Sequence, residues 1–158
     1  MKFLISFTRF LVMRKTYETD KDRSNEGKIA DLIHEKWEVN LVKLPVSYNL
    51  DYAMLNICKD CKLCGFLEVK VRSLTKSYFS LYMISLAKVI KARELTKITG
   101  LPSLLVVQWE DEAGWISFSA ELQAFGIGGR KDRNDWQDQE PITYFKTHEF
   151  NQIERRKT

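Results

Sequence analysis

Cysteine is scarce in this sequence: only three occur in 158 residues, and all fall between Cys58 and Cys64. An odd, clustered set cannot build the disulfide framework of a small secreted domain, and it suits a reducing compartment. Long apolar runs are also missing. The stretch from Phe3 to Met13 is interrupted by Arg9, is too short to span a bilayer, and is followed by no small-residue cleavage site. Neither membrane insertion nor export is expected. Residues 1–12 read as an extra strand, a disordered leader or a translation-start artefact upstream of Met13. A phosphate-binding loop is excluded as well. Gly126-Ile-Gly128-Gly129-Arg130 lacks the Gly-Lys-Ser/Thr ending, so no nucleotide cofactor is expected. There is no internal repeat and no linker.

What is present is enough for a packed domain. A hydrophobic fraction of 44% and an aromatic fraction of 12% can supply a real core, and the length suits one domain. The net charge is a modest +4, but it is unevenly placed. Residues 69–100 carry seven basic side chains (Lys70, Arg72, Lys76, Lys88, Lys91, Arg93, Lys97) against Glu94 alone, a local +6. Residues 101–120 carry only Glu110, Asp111 and Glu112, a local −3. A basic segment of this kind attracts a polyanion; a solvated helix face is the plainer alternative.

The periodicities predict a mixed α/β fold. Residues 14–23 are charged and read as a loop. A helix then begins with Ser24 as cap and Glu26 at the positive end of the dipole, burying Ile29, Leu32, Ile33 and Trp37. Residues 39–55 read as extended chain broken at Pro45, and residues 66–71 resume as the second strand of a hairpin. A second helix is predicted over residues 80–99, with Met83, Leu86, Ala87 and Ile90 inward and Gly100 and Pro102 as its stop. Residues 104–109 read as a buried strand, 115–118 as its hairpin partner, and 142–145 as a last short strand before a polar tail.

Two carboxylates and a lysine then stand out. Glu68 and Lys70, one residue apart in a strand, project from one face, with Leu67, Val69 and Val71 on the other. Asp51 lies in the preceding strand among Leu50, Tyr52 and Ala53, where an acid without a partner or a task is expensive. Strands about 5 Å apart let Asp51 and Glu68 share one cation. Glu26 could reach the same place from the side. Phosphodiester hydrolysis calls for this set: carboxylates for a hard cation and a lysine for the attacking water or the developing charge.

Asp51 in Asn-Leu-Asp-Tyr and, after sixteen intervening residues, Glu68 and Lys70 in Leu-Glu-Val-Lys-Val-Arg resemble the PD-(D/E)XK nuclease signature. Leu50 stands where the family name has proline. An upstream helix with Glu26, a basic helix and a buried strand downstream extend the likeness over residues 24–109. The resemblance, to small phage-encoded and Holliday junction resolvase-like members, implies a restriction-endonuclease-like core. That core is a central mixed sheet flanked by helices in the order α-β-β-β-α-β, with added C-terminal β. It implies one nuclease domain: a leader and loop to residue 23, a core over 24–120 and an extension over 121–158. Asp51, Glu68 and the Val69 carbonyl would bind Mg²⁺ or Mn²⁺, Lys70 would orient water, and Glu26 would hold a second ion or a metal-bound water. Ser77 and Tyr78 would touch phosphate, with Gln108 a further candidate. DNA would also meet Arg72, Lys76, Lys88, Lys91, Arg130 and Arg133.

The resemblance implies a cytoplasmic endonuclease of a bacterial or phage-infected cell, acting as a homodimer on branched or distorted DNA. The alternatives are an inactive nuclease-fold protein that binds DNA or assists assembly, and a restriction-type or general nuclease. Zinc at Cys58, Cys61 and Cys64 is not expected, because a closed site needs four ligands and His34 and His148 are distant in sequence. His34 reads as a partly exposed surface residue.

Overall fold

The computed structural model describes residues 20–58, 60–129 and 139–155. Helix α1 (Asp20–Trp37) is followed by β1 (Val39–Lys43), β2 (Tyr52–Asn56), β3 (Leu63–Val71) and β4 (Leu81–Ser85). Then come α2 (Leu86–Thr99), β5 (Ser103–Gln108), β6 (Glu112–Ser117), β7 (Phe125–Gly128), β8 (Glu140–Lys146) and β9 (Asn151–Arg155). The main sheet has six strands in the order β1-β2-β3-β5-β6-β9, and a second sheet has three in the order β4-β8-β7. Among the described residues only β3 and β5 pair in parallel, across the α2 crossover, and the other pairings are antiparallel. This is the expected mixed α/β architecture.

The main sheet is covered on both sides, which is why β5 reads as an unbroken apolar run. On one side α1 sets Ile29 and Ile33 against Met54, Leu67, Val69 and Val106. On the other, α2 and the small sheet set Val89, Ala92, Tyr82, Ile84 and Phe145 against Phe66, Leu105, Val107 and Trp109. Strand β3 serves both cores by alternation. Leu67 and Val69 face α1; Phe66 faces α2, and Glu68, two residues on, shares its face.

Several expectations are corrected. Helix α1 starts at Asp20, so Ser24 is inside it and caps nothing. Residues 81–85 are a strand. Tyr82 and Ile84 are buried while Leu81 and Met83 are exposed, a two-residue period that pairs with β8. The face of α2 is therefore rotated from the predicted one: Val89 and Ala92 are buried and Ile90 is exposed. Val71 is exposed rather than in the core. The tail beyond 145 is not all loop, since β9 adds the sixth strand beside β6. The break at Pro45, the β2–β3 and β5–β6 hairpins and the stop at Gly100 are as expected. At Gly100, φ of 71° closes the helix in the left-handed region that glycine adopts without strain. Among the described residues, no helix is long and apolar enough to cross a membrane.

Candidate active site

The site forms where β3 runs past the start of β2. Asp51 sits one residue before β2, not within it as predicted, and its N–H donates to the Leu67 carbonyl at 3.0 Å. Just upstream, the turn at Val46–Tyr48 ends on Asn49 with φ of 58°, a left-handed conformation that asparagine tolerates well. That turn aims the Asp51 side chain along the β3 edge. Its Oδ2 accepts the Val69 N–H at 2.8 Å, the bond another strand would have made. Within a strand the N–H and C=O of one residue leave from the same edge, so the Val69 carbonyl also projects to the Asp51 side. Asp51 and the Val69 carbonyl are thus on the same edge of β3.

Glu68 lies on the α2 face and is wholly buried. Two lysines hold it. Lys88 Nζ donates to Oε2 at 2.9 Å, and Lys70 Nζ lies 2.7 Å from Oε1. Each carboxylate oxygen therefore has its own ammonium beside it. Burial pushes the Glu68 carboxyl up, against the pull of Lys70 and Lys88. Burial lowers the Lys70 ammonium, but Glu68 and Asp51 outweigh it and hold it well above the ordinary lysine value. Lys70 is therefore a fixed cation here, suited to hold a water or an anionic oxygen by donation.

Glu26 reaches the same end of the sheet from α1. Lys43, at the end of β1, bonds it at 2.6 Å and lies 3.9 Å from Asp51 Oδ1. Lys43 was missed in the sequence. The hairpin register places it opposite Tyr52, next to Asp51, but an exposed edge lysine gives no sign of its partner.

The other candidates scatter. Lys88 was expected to face DNA and instead completes the Glu68 site, because the rotated α2 turns it inward. Arg72 stays exposed at the cleft, its guanidinium 5.2 Å from the Tyr82 ring centre. Lys76 is consumed internally: its Nζ donates to Glu112 at 2.6 Å and to the Phe150 carbonyl at 3.1 Å. Gln108 is buried, with Nε2 bonded to the Trp109 and Glu112 carbonyls. Ser77 and Tyr78 are exposed on a short 3-10 turn, and Lys91 pairs with Glu94 on the helix surface. Arg130 and Arg133 lie outside the described residues. Cys58 and Cys61 are exposed and Cys64 is half-buried, all as free thiols, and burial pushes the Cys64 thiol up. His34 is exposed and meets the Val39 carbonyl through Nδ1.

The fit to a hard cation is good in chemistry. Among the described residues no cluster of three or more His, Cys, Asp or Glu side chains stands ready as a cage. Two carboxylates and a main-chain carbonyl are still an all-oxygen donor set, and both oxygens of buried Glu68 already face a lysine ammonium. A cleft of about 330 Å³ opens beside it, lined by Asn49, Lys70, Arg72, Tyr82, Ser85 and Lys88.

Comparison with known proteins identifies the family. A family model described as "Phage putative PDDEXK endonuclease" matches residues 12–153. No curated protein matches the chain. Among solved structures, the Holliday junction resolvase Hjc of Archaeoglobus fulgidus is similar at 14% identity and a TM-score of 0.48, over 78% of this chain and 94% of the resolvase. The family match spans almost the whole sequence, and the chain belongs to the phage PDDEXK endonuclease family.

Proposed function

We propose that this endonuclease is a metal-dependent deoxyribonuclease in which Asp51, Glu68 and the Val69 carbonyl hold Mg²⁺ or Mn²⁺. The observation that carries the proposal is Glu68: a fully buried carboxylate, clamped by Lys70 and Lys88, on the strand that also anchors Asp51. A buried acid so arranged is costly as mere architecture, since apolar residues of equal volume often stabilise as well. When bound, the divalent cation supplies a Lewis acid for the phosphate and acidifies a water. Lys70 donates to that water or to the oxyanion that develops on phosphorus, a charge its raised pKa keeps available. Lys88 holds Glu68 in place, and Lys43 with Glu26 holds the approach to Asp51. Together they form one nuclease domain.

The substrate we propose is branched or distorted DNA, cut by a homodimer in the reducing cytoplasm where three free thiols persist. Lys and Arg at the cleft meet phosphate, which fixes position without reading sequence, so shape becomes the distinguishing feature. Paired incision needs two sites, which a two-fold dimer supplies. The test is purified protein with Mg²⁺ or Mn²⁺ against linear, single-stranded, flap and four-way-junction DNA, with light scattering for the oligomer. Asp51→Asn, Glu68→Gln and Lys70→Ala should each lower cleavage by about 10²-fold or more at matched stability. Activity like the wild type in any of them would refute the site. A strict monomer that cuts linear duplex as readily as junctions would refute the substrate.

A further inference from the structure

Glu26 and Asp51 are carboxylates brought together from α1 and the start of β2. Both are largely shielded from water, with side chains 19% and 16% exposed. Like charges so placed repel unless a cation lies between them. Here that cation belongs to the chain itself. Lys43 Nζ donates to Glu26 Oε2 at 2.6 Å and lies 3.9 Å from Asp51 Oδ1, while Asp51 Oδ2 accepts from Val69. A third contact steadies it. The hairpin register sets Lys43 opposite Tyr52, and the ammonium stands 4.8 Å from the Tyr52 ring centre.

The family resemblance gave Glu26 a second ion or a metal-bound water. The structure puts an ammonium group at that acid. Among the described residues no third carboxylate joins Glu26 and Asp51 to hold a divalent ion there. Charge points the same way. Glu26, Asp51 and Glu68 meet Lys43, Lys70 and Lys88, so three carboxylates are matched by three ammonium groups before any metal enters. One divalent cation is balanced by a phosphodiester and the hydroxide that attacks it. A second would leave excess positive charge in a partly buried site, which is costly.

We infer that the Lys43 ammonium takes the place of a second metal ion, so that the enzyme works with a single divalent cation at Asp51 and Glu68. The inference rests on the metal-dependent reading above and deepens it. Lys43 is a positioning residue: it acts through Glu26 and Asp51, holding the two acids together at fixed charge.

The experiment titrates Mn²⁺ into chelator-treated protein without DNA and counts the ions bound per chain by calorimetry and electron paramagnetic resonance. The wild type should bind about one. Lys43→Met keeps the apolar stem against Tyr52 and removes the charge, and should bind about two. Lys43→Arg keeps the charge and should bind about one, as the wild type does. Adding Glu26→Gln to Lys43→Met removes a ligand of the vacated position and should also return the count to about one. Thermal melts of the metal-free proteins establish that each is folded. A wild type that binds two ions overturns the inference, and so does a Lys43→Met protein that still binds one. A second ion that persists in the double variant, or that appears in Lys43→Arg, overturns it as well. A first ion seen only in Lys43→Met would also overturn it, since Lys43 would then compete for the Asp51 and Glu68 position. Absence of Mn²⁺ binding in every one of these proteins would instead overturn the metal-dependent reading itself.

Discussion

Replacing Lys88 by alanine should separate a helix that merely faces DNA from one that builds the site. Lys88 Nζ is 2.9 Å from a carboxylate with no exposure to water, and its own side chain is only 28% exposed. At that distance the attraction is about 6 kcal/mol at an effective dielectric of 20, most of it offset by the desolvation already suffered. The net value of a hydrogen bond to a charged group is about 1.5–3 kcal/mol. Lys70 remains on Oε1, so Glu68 keeps one cation and the loss stays below that of a fully orphaned buried charge. Alanine's better helix propensity returns a few tenths of a kcal/mol. A destabilisation of about 1–3 kcal/mol follows, which in urea unfolding at neutral pH without divalent metal shifts the midpoint by about 0.5–1.5 M at a slope near 2 kcal/mol/M. Lys91→Ala, whose pair with Glu94 is half-exposed at both ends, should change stability by less than ~0.5 kcal/mol. In Glu68→Gln the Lys88 effect should shrink, and Mg²⁺ should narrow the deficit by supplying the missing positive charge. Equal effects of Lys88→Ala and Lys91→Ala would refute the reasoning.

Two glycines make opposite predictions. Gly65→Ala would set a Cβ 2.8 Å from the Pro102 carbonyl oxygen and should destabilise by about 1–3 kcal/mol, whereas Gly27→Ala, in α1 with open space around it, should stabilise by about 0.5–1 kcal/mol; thermal melts decide both. Protein purified without chelator should carry no stoichiometric zinc, since Cys58 and Cys61 are exposed and Cys64 already donates to the Met54 carbonyl; one zinc per chain in metal analysis would overturn this. Because burial raises the Glu68 pKa, folded protein retains a proton that unfolded chain has released, so between the ordinary glutamate range and the raised value metal-free stability should fall as pH rises. Glu68→Gln should remove its part of that stability slope in urea unfolding across the same pH range without divalent metal, and an unchanged slope in the variant would contradict the assignment.

Local pattern alone determined a good deal. Alternation put Glu68 and Lys70 on one face of β3, Pro45 ended β1, and Gly100 ended α2, because each depends on neighbours two to four residues away. Spacing and residue type singled out Asp51, although its position one residue outside β2 depends on the left-handed turn at Asn49. The tertiary structure decided the rest. The apolar residues 81–90 satisfy a helical period and a strand period in part, and pairing with β8 made the first half a strand. That pairing reset the phase of α2 and turned Lys88 from a surface charge into the second clamp on Glu68. Lys76, alike in sequence, was drawn to Glu112 and a distant carbonyl instead. Lysines carry no mark of their partners, since a long flexible chain serves any acid within reach, and which acid is within reach is settled only when the sheets close.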